Sequence, residues 1–339
     1  MNLAEVWESA RQKCNKCNGC VVCNGKACKG QIPGMGGKDS GTTFVDNVEA
    51  FSNYKIVMDV INDCAEVDTS LEFLGYHLSL PVFAAPMAGI KNNYGCDMSD
   101  AEYNKVLARS AKECGVMAFV GDGKDMAGLF LDSIKEVQKV TDDIIVTIKP
   151  WVKEGIDARL SAIKDYNYAF VAMDIDSCGL PLLRDSVIPV ENKSVAKLKE
   201  VKESVNKPFI IKGVMSVDGA LKAIEANADA IVVSNHGGRV LDEAMPTIEV
   251  LEDIAKVCKG KIKVLVDGGI RSGYDVFKCL ALGADAVLIG RPLGFSVIGD
   301  SEEGLKLYLA KIENELRSAM MMSGCSKLSD INSTKVFRK

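Results

Sequence analysis

Eight short runs of β-branched and small apolar residues, each followed by a longer amphipathic stretch, constrain this chain more than any other feature. The runs are Pro81–Pro86, Gly115–Val120, Ile144–Lys149, Ala169–Asp174, Pro208–Lys212, Ala230–Ser234, Lys261–Asp267 and Ala286–Gly290. Between them, Ser99–Glu113, Gly155–Tyr166, Val217–Asn227 and Gly273–Leu282 read as helices. Strands that alternate with helices run parallel, because a chain returning to the same sheet in the same direction needs a crossover. Eight such units over about 250 residues predict an α/β chain closed into a (β/α)8 TIM barrel. An open α/β sheet is the alternative.

Residues 1–45 read differently. They hold Cys14, Cys17, Cys20, Cys23 and Cys28, five of the chain's twelve cysteines, together with Gly34-Met35-Gly36-Gly37. No useful apolar periodicity is evident there. The expected division is therefore a short Cys-rich N-terminal appendage, 1–45, followed by a barrel over 46–339. A formal charge of −5 and 26% charged residues argue against a nucleic-acid or membrane-surface partner. The N-terminus carries Glu5 and Glu8 in place of a basic, apolar secretory leader, and no run approaches about 18 apolar residues. A cytoplasmic location follows as an expectation, and with it cysteines that are reduced thiols or metal ligands.

In a barrel of this kind the C-terminal strand ends share one mouth. The ends here are Pro86-Met87-Ala88, Gly121-Asp122-Gly123, Lys149-Pro150-Trp151, Asp174-Ile175-Asp176, Lys212-Gly213, Ser234 to Arg239, Asp267 to Arg271 and Gly290-Arg291. After the seventh and eighth strands, Gly268, Gly269 and Gly290 let backbone N–H groups approach an anion, and Arg271 and Arg291 add charge-assisted donors. A phosphate-bearing ligand is expected, although a lone Gly-Gly is also an ordinary tight turn. Of the two histidines, His77 lies before the barrel and reads as structural. His236 lies at a strand end, three residues before Arg239, where an imidazole can take a proton and a guanidinium can grip a carboxylate. Lys212 directly follows an apolar run and should project into the same mouth as a fixed positive charge.

Ile211-Lys212-Gly213-Val214, Ser234-Asn235-His236-Gly237-Gly238-Arg239, Asp267-Gly268-Gly269 with Arg271, and Ile289-Gly290-Arg291-Pro292 resemble the FMN-dependent α-hydroxy acid oxidase and dehydrogenase family. The resemblance is dense over about 205–330, weaker over 45–200 and absent in the head. It implies oxidation of a small (S)-2-hydroxy acid to the 2-oxo acid, with hydride passing to FMN. His236 would take the hydroxyl proton, Asp176 would orient His236, Arg239 would bind the carboxylate, and Lys212 would face the flavin pyrimidine. Pro86, Met87, Ala88 and Ser234 would line the flavin. Asp267 would hold the ribityl chain, and Gly268, Gly269, Arg271, Gly290 and Arg291 the phosphate. The family also implies a homotetramer; the electron acceptor is left open.

Against the family pattern, only Arg184 stands in for a second carboxylate-binding arginine. Trp151 replaces a tyrosine, Thr147 or Lys149 a flavin-side glutamine, and Cys28–Gly37 occupies the place of an N-terminal tyrosine. The flavin half of the site is kept while the substrate half is altered. An FMN-dependent isomerase of the type 2 isopentenyl diphosphate kind, or a flavin and cluster electron carrier, are the competing readings. Cys14, Cys17, Cys20 and Cys23 have the spacing of thiolate runs that ligate an iron–sulfur cluster, with a structural zinc as the other option.

Overall fold

The computed structural model describes residues Met1–Lys339, the side chain of Pro181 excepted. Its centre is a closed, all-parallel barrel of β1 (Val82–Ala84), β2 (Met117–Val120), β3 (Ile144–Ile148), β4 (Phe170–Asp174), β5 (Phe209–Val214), β6 (Ala230–Val233), β7 (Lys263–Val266) and β8 (Ala286–Ile289). Each strand pairs with its sequence neighbours, and β8 closes on β1 through Val287 and Val82. The eight strands fall within or against the eight expected runs. The predicted helices form as Asp100–Glu113, Lys153–Ile163, Val217–Glu225 and Gly273–Ala281. Ser99, Ser216 and Ser272 accept from first-turn N–H groups and so fix where three of them begin.

The two-residue period of a strand decides what the barrel encloses. Phe83, Met117, Phe119, Ile145, Phe170, Ala172, Ile210, Ala230, Val232, Leu265, Ala286 and Leu288 point inward and fuse into one buried cluster. The residues between them, such as Val146, Val171, Ile211 and Val266, pack outward against the helices. One further step of the same period along each strand reaches Ala85, Gly121, Thr147, Asp174, Lys212, Ser234, Asp267 and Gly290. Polar and small residues thus replace apolar ones at the open end.

The opposite end is stoppered by a hairpin, Leu71–Phe73 paired with Tyr76–Leu78. Its turn is built on left-handed Leu74 and Gly75. Phe73 reaches the interior, with its ring 5.1 Å from Phe83 and 6.0 Å from Phe170. His77 stands on the exposed hairpin, with Nδ1 2.6 Å from Glu72 Oε1, far from the mouth in its role as in its place.

The N-terminal head is packed onto the barrel. Its first element is a helix, Leu3–Lys13, capped by Asn2 with Glu5 reciprocating. Leu3, Val6, Trp7 and Ala10 form an i, i+3, i+4, i+7 stripe, so a helical period was present in this stretch and simply ended after three turns. Val6 and Ala10 are wholly buried against the last helix, Arg291–Met322. A Cβ at Gly299 would lie 2.2 Å from the Val6 carbonyl oxygen, so a glycine notch receives the head. The helix Thr42–Glu49 crosses the expected division at residue 45. No helix among the described residues is long and apolar enough to cross a membrane.

Candidate active site

Three carboxylates and two cations meet at the ends of β3 to β7. Lys212 Nζ donates to Asp174 Oδ1 at 2.9 Å and to Ser234 Oγ at 3.0 Å, and stands 3.5 Å from Asp267 Oδ2. Lys149 Nζ reaches the other Asp174 oxygen at 3.4 Å. Burial opposes the charge on Lys212, yet Asp174, Asp267 and Asp176 more than offset it and raise its pKa. Burial likewise opposes ionisation of Asp174, but His236, Lys212 and Lys149 hold it well below the usual carboxylate range. Asp176 goes the other way: burial pushes it up, and the neighbouring Asp174 charge adds to that.

The chain turns sharply after β6. His236 takes a left-handed conformation, φ 57°, followed by left-handed Gly237 and Gly238, and its N–H donates to Ser234 Oγ at 3.1 Å. The turn presents the ring to β4, with Nδ1 2.9 Å from Asp176 Oδ1 and 3.6 Å from Asp174 Oδ1. A carboxylate at Nδ1 fixes the neutral tautomer whose lone pair is on Nε2, the form a proton acceptor needs. The expected pairing of His236 with Asp176 is therefore formed. Asp174, a strand end in the sequence but assigned no role there, joins it as the hub linking His236 to Lys212. Its signal was the period itself: two residues beyond inward-facing Ala172.

Arg239 and Arg291 meet at the mouth, but their polar partners are neutral and, Asn93 excepted, come from the head. Arg239 donates to the Gly34 carbonyl and, at 3.3 Å, to Asn93 Oδ1. Arg291 donates to the Met35 carbonyl at 2.7 Å and the Gly36 carbonyl at 3.2 Å, and stacks 3.7 Å from the centre of the Phe44 ring. Arg271 turns to the head as well, giving Nε to the Cys23 carbonyl at 2.7 Å. Burial and the nearby Arg291 charge push Arg239 down to about 10, still cationic at neutral pH. Desolvated like charges held side by side on carbonyls call for an anion.

Two amides fasten the head to the β6 turn. Asn47 and Asn235 exchange side-chain hydrogen bonds at 2.8 and 3.0 Å, and Asn47 Oδ1 also accepts from the Thr247 N–H. The Asn47 carbonyl rests against left-handed Gly269, φ 85°, where a Cβ would lie 1.9 Å from it. Gly269→Ala should cost about 2–4 kcal/mol, because both the backbone conformation and the contact are lost. Urea unfolding would measure it, and a loss below 0.5 kcal/mol, on the order of a neutral surface change, would show that the head does not bear on this turn.

Trp151 occupies the place of the family's tyrosine without facing the mouth. It is buried, and its Nε1 donates to Asp122 Oδ2 at 2.6 Å. Arg159 Nε donates to the same oxygen at 2.8 Å, with its guanidinium 4.2 Å from the Trp151 ring centre. Burial raises the Asp122 pKa, while Arg159 and Trp151 pull it back. Asp122→Ala leaves Arg159 buried and unpaired, so we expect a stability loss of about 3–5 kcal/mol with flavin content changed little in the folded fraction. Denaturant titration followed by tryptophan fluorescence would check it. Arg184, the substitute for a second carboxylate-binding arginine, is exposed on the short helix Pro181–Arg184.

The cysteines depart from the expected ligand set. Cys14 is buried in the hydrophobic core, and burial pushes it up to about 12, with Cys96 adding to the effect. It does not line the cavity that Cys17, Cys20 and Cys23 share; Cys28 does. The helix Leu3–Lys13 ends at Cys14, which fixes that side chain against the barrel and leaves only the following loop free to curl. Among the described residues, the one group of three or more potential ligands with all donor atoms within 4.8 Å is Asp174, Asp176 and His236, where the Lys212 ammonium already supplies a cation. A tetrahedral zinc, with sulfurs about 3.8 Å apart from Zn–S bonds of about 2.3 Å, has no preformed thiolate set.

The mouth also holds orphaned acceptors. Thr147 Oγ1, Asp176 Oδ2 and Asp267 Oδ1 are buried without a hydrogen-bond partner. Hydroxyl donors for these oxygens, and an anion for the paired guanidiniums, are what a ribityl phosphate brings, so the residues present fit a flavin mononucleotide. In class terms the molecule is a flavin-dependent (β/α)8-barrel oxidoreductase.

Residues 34–182 and 184–338 match the FMN-dependent dehydrogenase family, and the chain belongs to it. It is 30% identical over 338 residues to a peroxisomal (S)-2-hydroxyacid oxidase of Arabidopsis thaliana, covering 89% of this chain and 90% of the relative. It is 30% identical to a 4-hydroxymandelate oxidase of Amycolatopsis orientalis, covering 89% and 94%, and 29% identical to an L-lactate oxidase of Lactobacillus jensenii, covering 87% and 78%. A solved mandelate oxidase bound to 3,3-difluoro-2-hydroxy-3-phenylpropionic acid superposes with a TM-score of 0.78 at 25% identity, over 100% of this chain and 98% of that one. The chain is an FMN-dependent enzyme of the 2-hydroxy acid oxidase family.

Proposed function

We propose that the enzyme oxidises a small (S)-2-hydroxy acid to the 2-oxo acid, with His236 as the base. The observation that carries this is the His236–Asp176 contact at 2.9 Å beside the Asp174–Lys212 pair. Bound FMN supplies the hydride acceptor. His236 takes the substrate's hydroxyl proton at Nε2, and Asp176 stabilises the imidazolium that results. Arg239 binds the carboxylate, exchanging its hold on the Gly34 carbonyl for a charged partner. Lys212 holds a fixed positive charge where the flavin ring lies, and Ser234 with Pro86, Met87 and Ala88 lines that place. Asp267 takes the ribityl chain; Gly268, Gly269, Gly290, Arg271 and Arg291 take the phosphate.

With Trp151 turned to Asp122 and Arg184 exposed, the carboxylate rests on a single arginine. That supports a substrate whose affinity depends strongly on Arg239. The 4-hydroxymandelate and L-lactate oxidases among the relatives support testing aromatic and aliphatic 2-hydroxy acids together. The resemblance extends the reading to a homotetramer, which light scattering of the purified protein would test. Anaerobic titration of the FMN-loaded enzyme with lactate, glycolate and mandelate tests the activity. At least one acid should bleach the flavin band saturably; flavin that stays oxidised with every acid would overturn the reading.

A further inference from the structure

The loop between the helix Leu3–Lys13 and the barrel holds a cluster of thiols that hydroxy acid oxidation does not use. Cys17, Cys20, Cys23 and Cys28 line one cavity whose walls include Trp7, Tyr94 and Phe295. All four are free and half-buried. Left-handed Gly19 and Gly25 curl the chain between them, and each is tightly packed: a Cβ would lie 2.7 Å from the Phe295 ring of the last helix at Gly19, and 2.7 Å from Phe44 on the helix Thr42–Glu49 at Gly25. Gly36 folds back over Cys28 in the same way, since a Cβ there would lie 1.9 Å from the Cys28 carbonyl oxygen. The curl is thus imposed by packing, and it turns four cysteines spaced C-x2-C-x2-C-x4-C toward one apolar chamber.

Positive charge faces this chamber. Arg291 lines it, and Arg271 Nη2 stands 3.7 Å from Cys23 Sγ. No three of these sulfurs lie within 4.8 Å of one another among the described residues. That is too open for one tetrahedral zinc, and it suits a centre in which each thiolate binds a different iron. We propose that Cys17, Cys20, Cys23 and Cys28 ligate an iron–sulfur cluster of the four-iron type, with Cys28 and not Cys14 as the fourth ligand. Four thiolates on such a cluster give it a net negative charge, which Arg271 and Arg291 balance. Arg291 also borders the mouth, so the centre shares a wall with the flavin phosphate turn. The site does not depend on the hydroxy acid reading, because its test is read from iron.

The full-length, FMN-loaded protein, purified without air and reconstituted with sulfide and equal amounts of ferrous and ferric iron, should hold about four iron and four sulfide per chain. Dithionite reduction should then give a cluster electron paramagnetic resonance signal separate from flavin. Cys20→Ser and Cys28→Ser should lose most of the iron, at least fourfold, while Cys14→Ser keeps it; flavin content and bleaching report whether each variant is folded. In the wild type, loading should protect Cys17, Cys20, Cys23 and Cys28 from alkylation, read by mass spectrometry, and leave Cys64 as reactive as before. Fewer than about one iron per chain in the wild type, zinc retained in place of iron, disulfides among the four cysteines, or iron lost in Cys14→Ser but kept in Cys28→Ser would each overturn the assignment.

Discussion

His236→Ala should slow anaerobic flavin reduction by the best 2-hydroxy acid at least about 100-fold, the scale of losing a positioned general base. The ring makes one side-chain hydrogen bond, to Asp176, and is half-buried, so its removal leaves the core intact. Flavin content and unfolding midpoint should therefore stay near wild type, which separates a chemical defect from a folding one. Stopped-flow spectroscopy of the half-reaction near neutral pH would measure the rate. An undiminished rate in the variant would remove His236 from the chemistry and leave Asp174 and Asp176 as the groups to test.

Lys212→Met should be the most damaging substitution at the mouth. The methionine fills similar volume but strands Asp174 and Asp267 around an apolar side chain, in a place where Lys212 is 3% exposed. Breaking a buried pair by removing one partner costs about 3–5 kcal/mol. The pH dependence gives the expectation a sign. Asp174 has a depressed pKa in the folded enzyme, so its contribution is present above the ordinary carboxylate pKa and fades as pH falls through the folded value. In the variant that depression shrinks, and Asp174 takes up its proton at higher pH. The stability gap between wild type and variant should be widest near neutrality and narrow below about pH 4. Denaturant unfolding at about pH 3 and at pH 7 would show it; a gap that is equal at both would mean that the lysine acts through packing alone. Flavin should also be lost from the variant, read as the absorbance ratio of the purified protein.

Much of the site was legible because strand periodicity is local. Lys212, Ser234, Asp267 and Gly290 each follow an inward residue by two, so the alternation that fills the barrel also delivers these side chains to its open end. His236 needed more than its strand, since a left-handed turn aims the ring; the glycines after it were the visible trace of that turn. Trp151 follows its strand as the sequence has it but turns away from the mouth, because Asp122, one strand before, accepts its N–H and Arg159, one helix after, stacks on its ring.

The sequence by itself determined the eight parallel strands, the sites at their ends and the flavin that fits them, because side-chain period, glycine and charge are properties of short stretches. Only the tertiary structure decided what covers the mouth. Arg239, Arg291 and Arg271 are held by carbonyls of Gly34, Met35, Gly36 and Cys23, and a carbonyl is present in every residue, so no residue type marks it. The same packing sends Cys14 into the core and Cys28 to the thiol chamber, since the notch at Gly299 and the rings of Phe295 and Phe44 set where the head's helix stops and its loop curls. The contacts of Val6 with Gly299 and of Gly19 with Phe295 join residues more than 200 positions apart, which spacing along the chain does not encode.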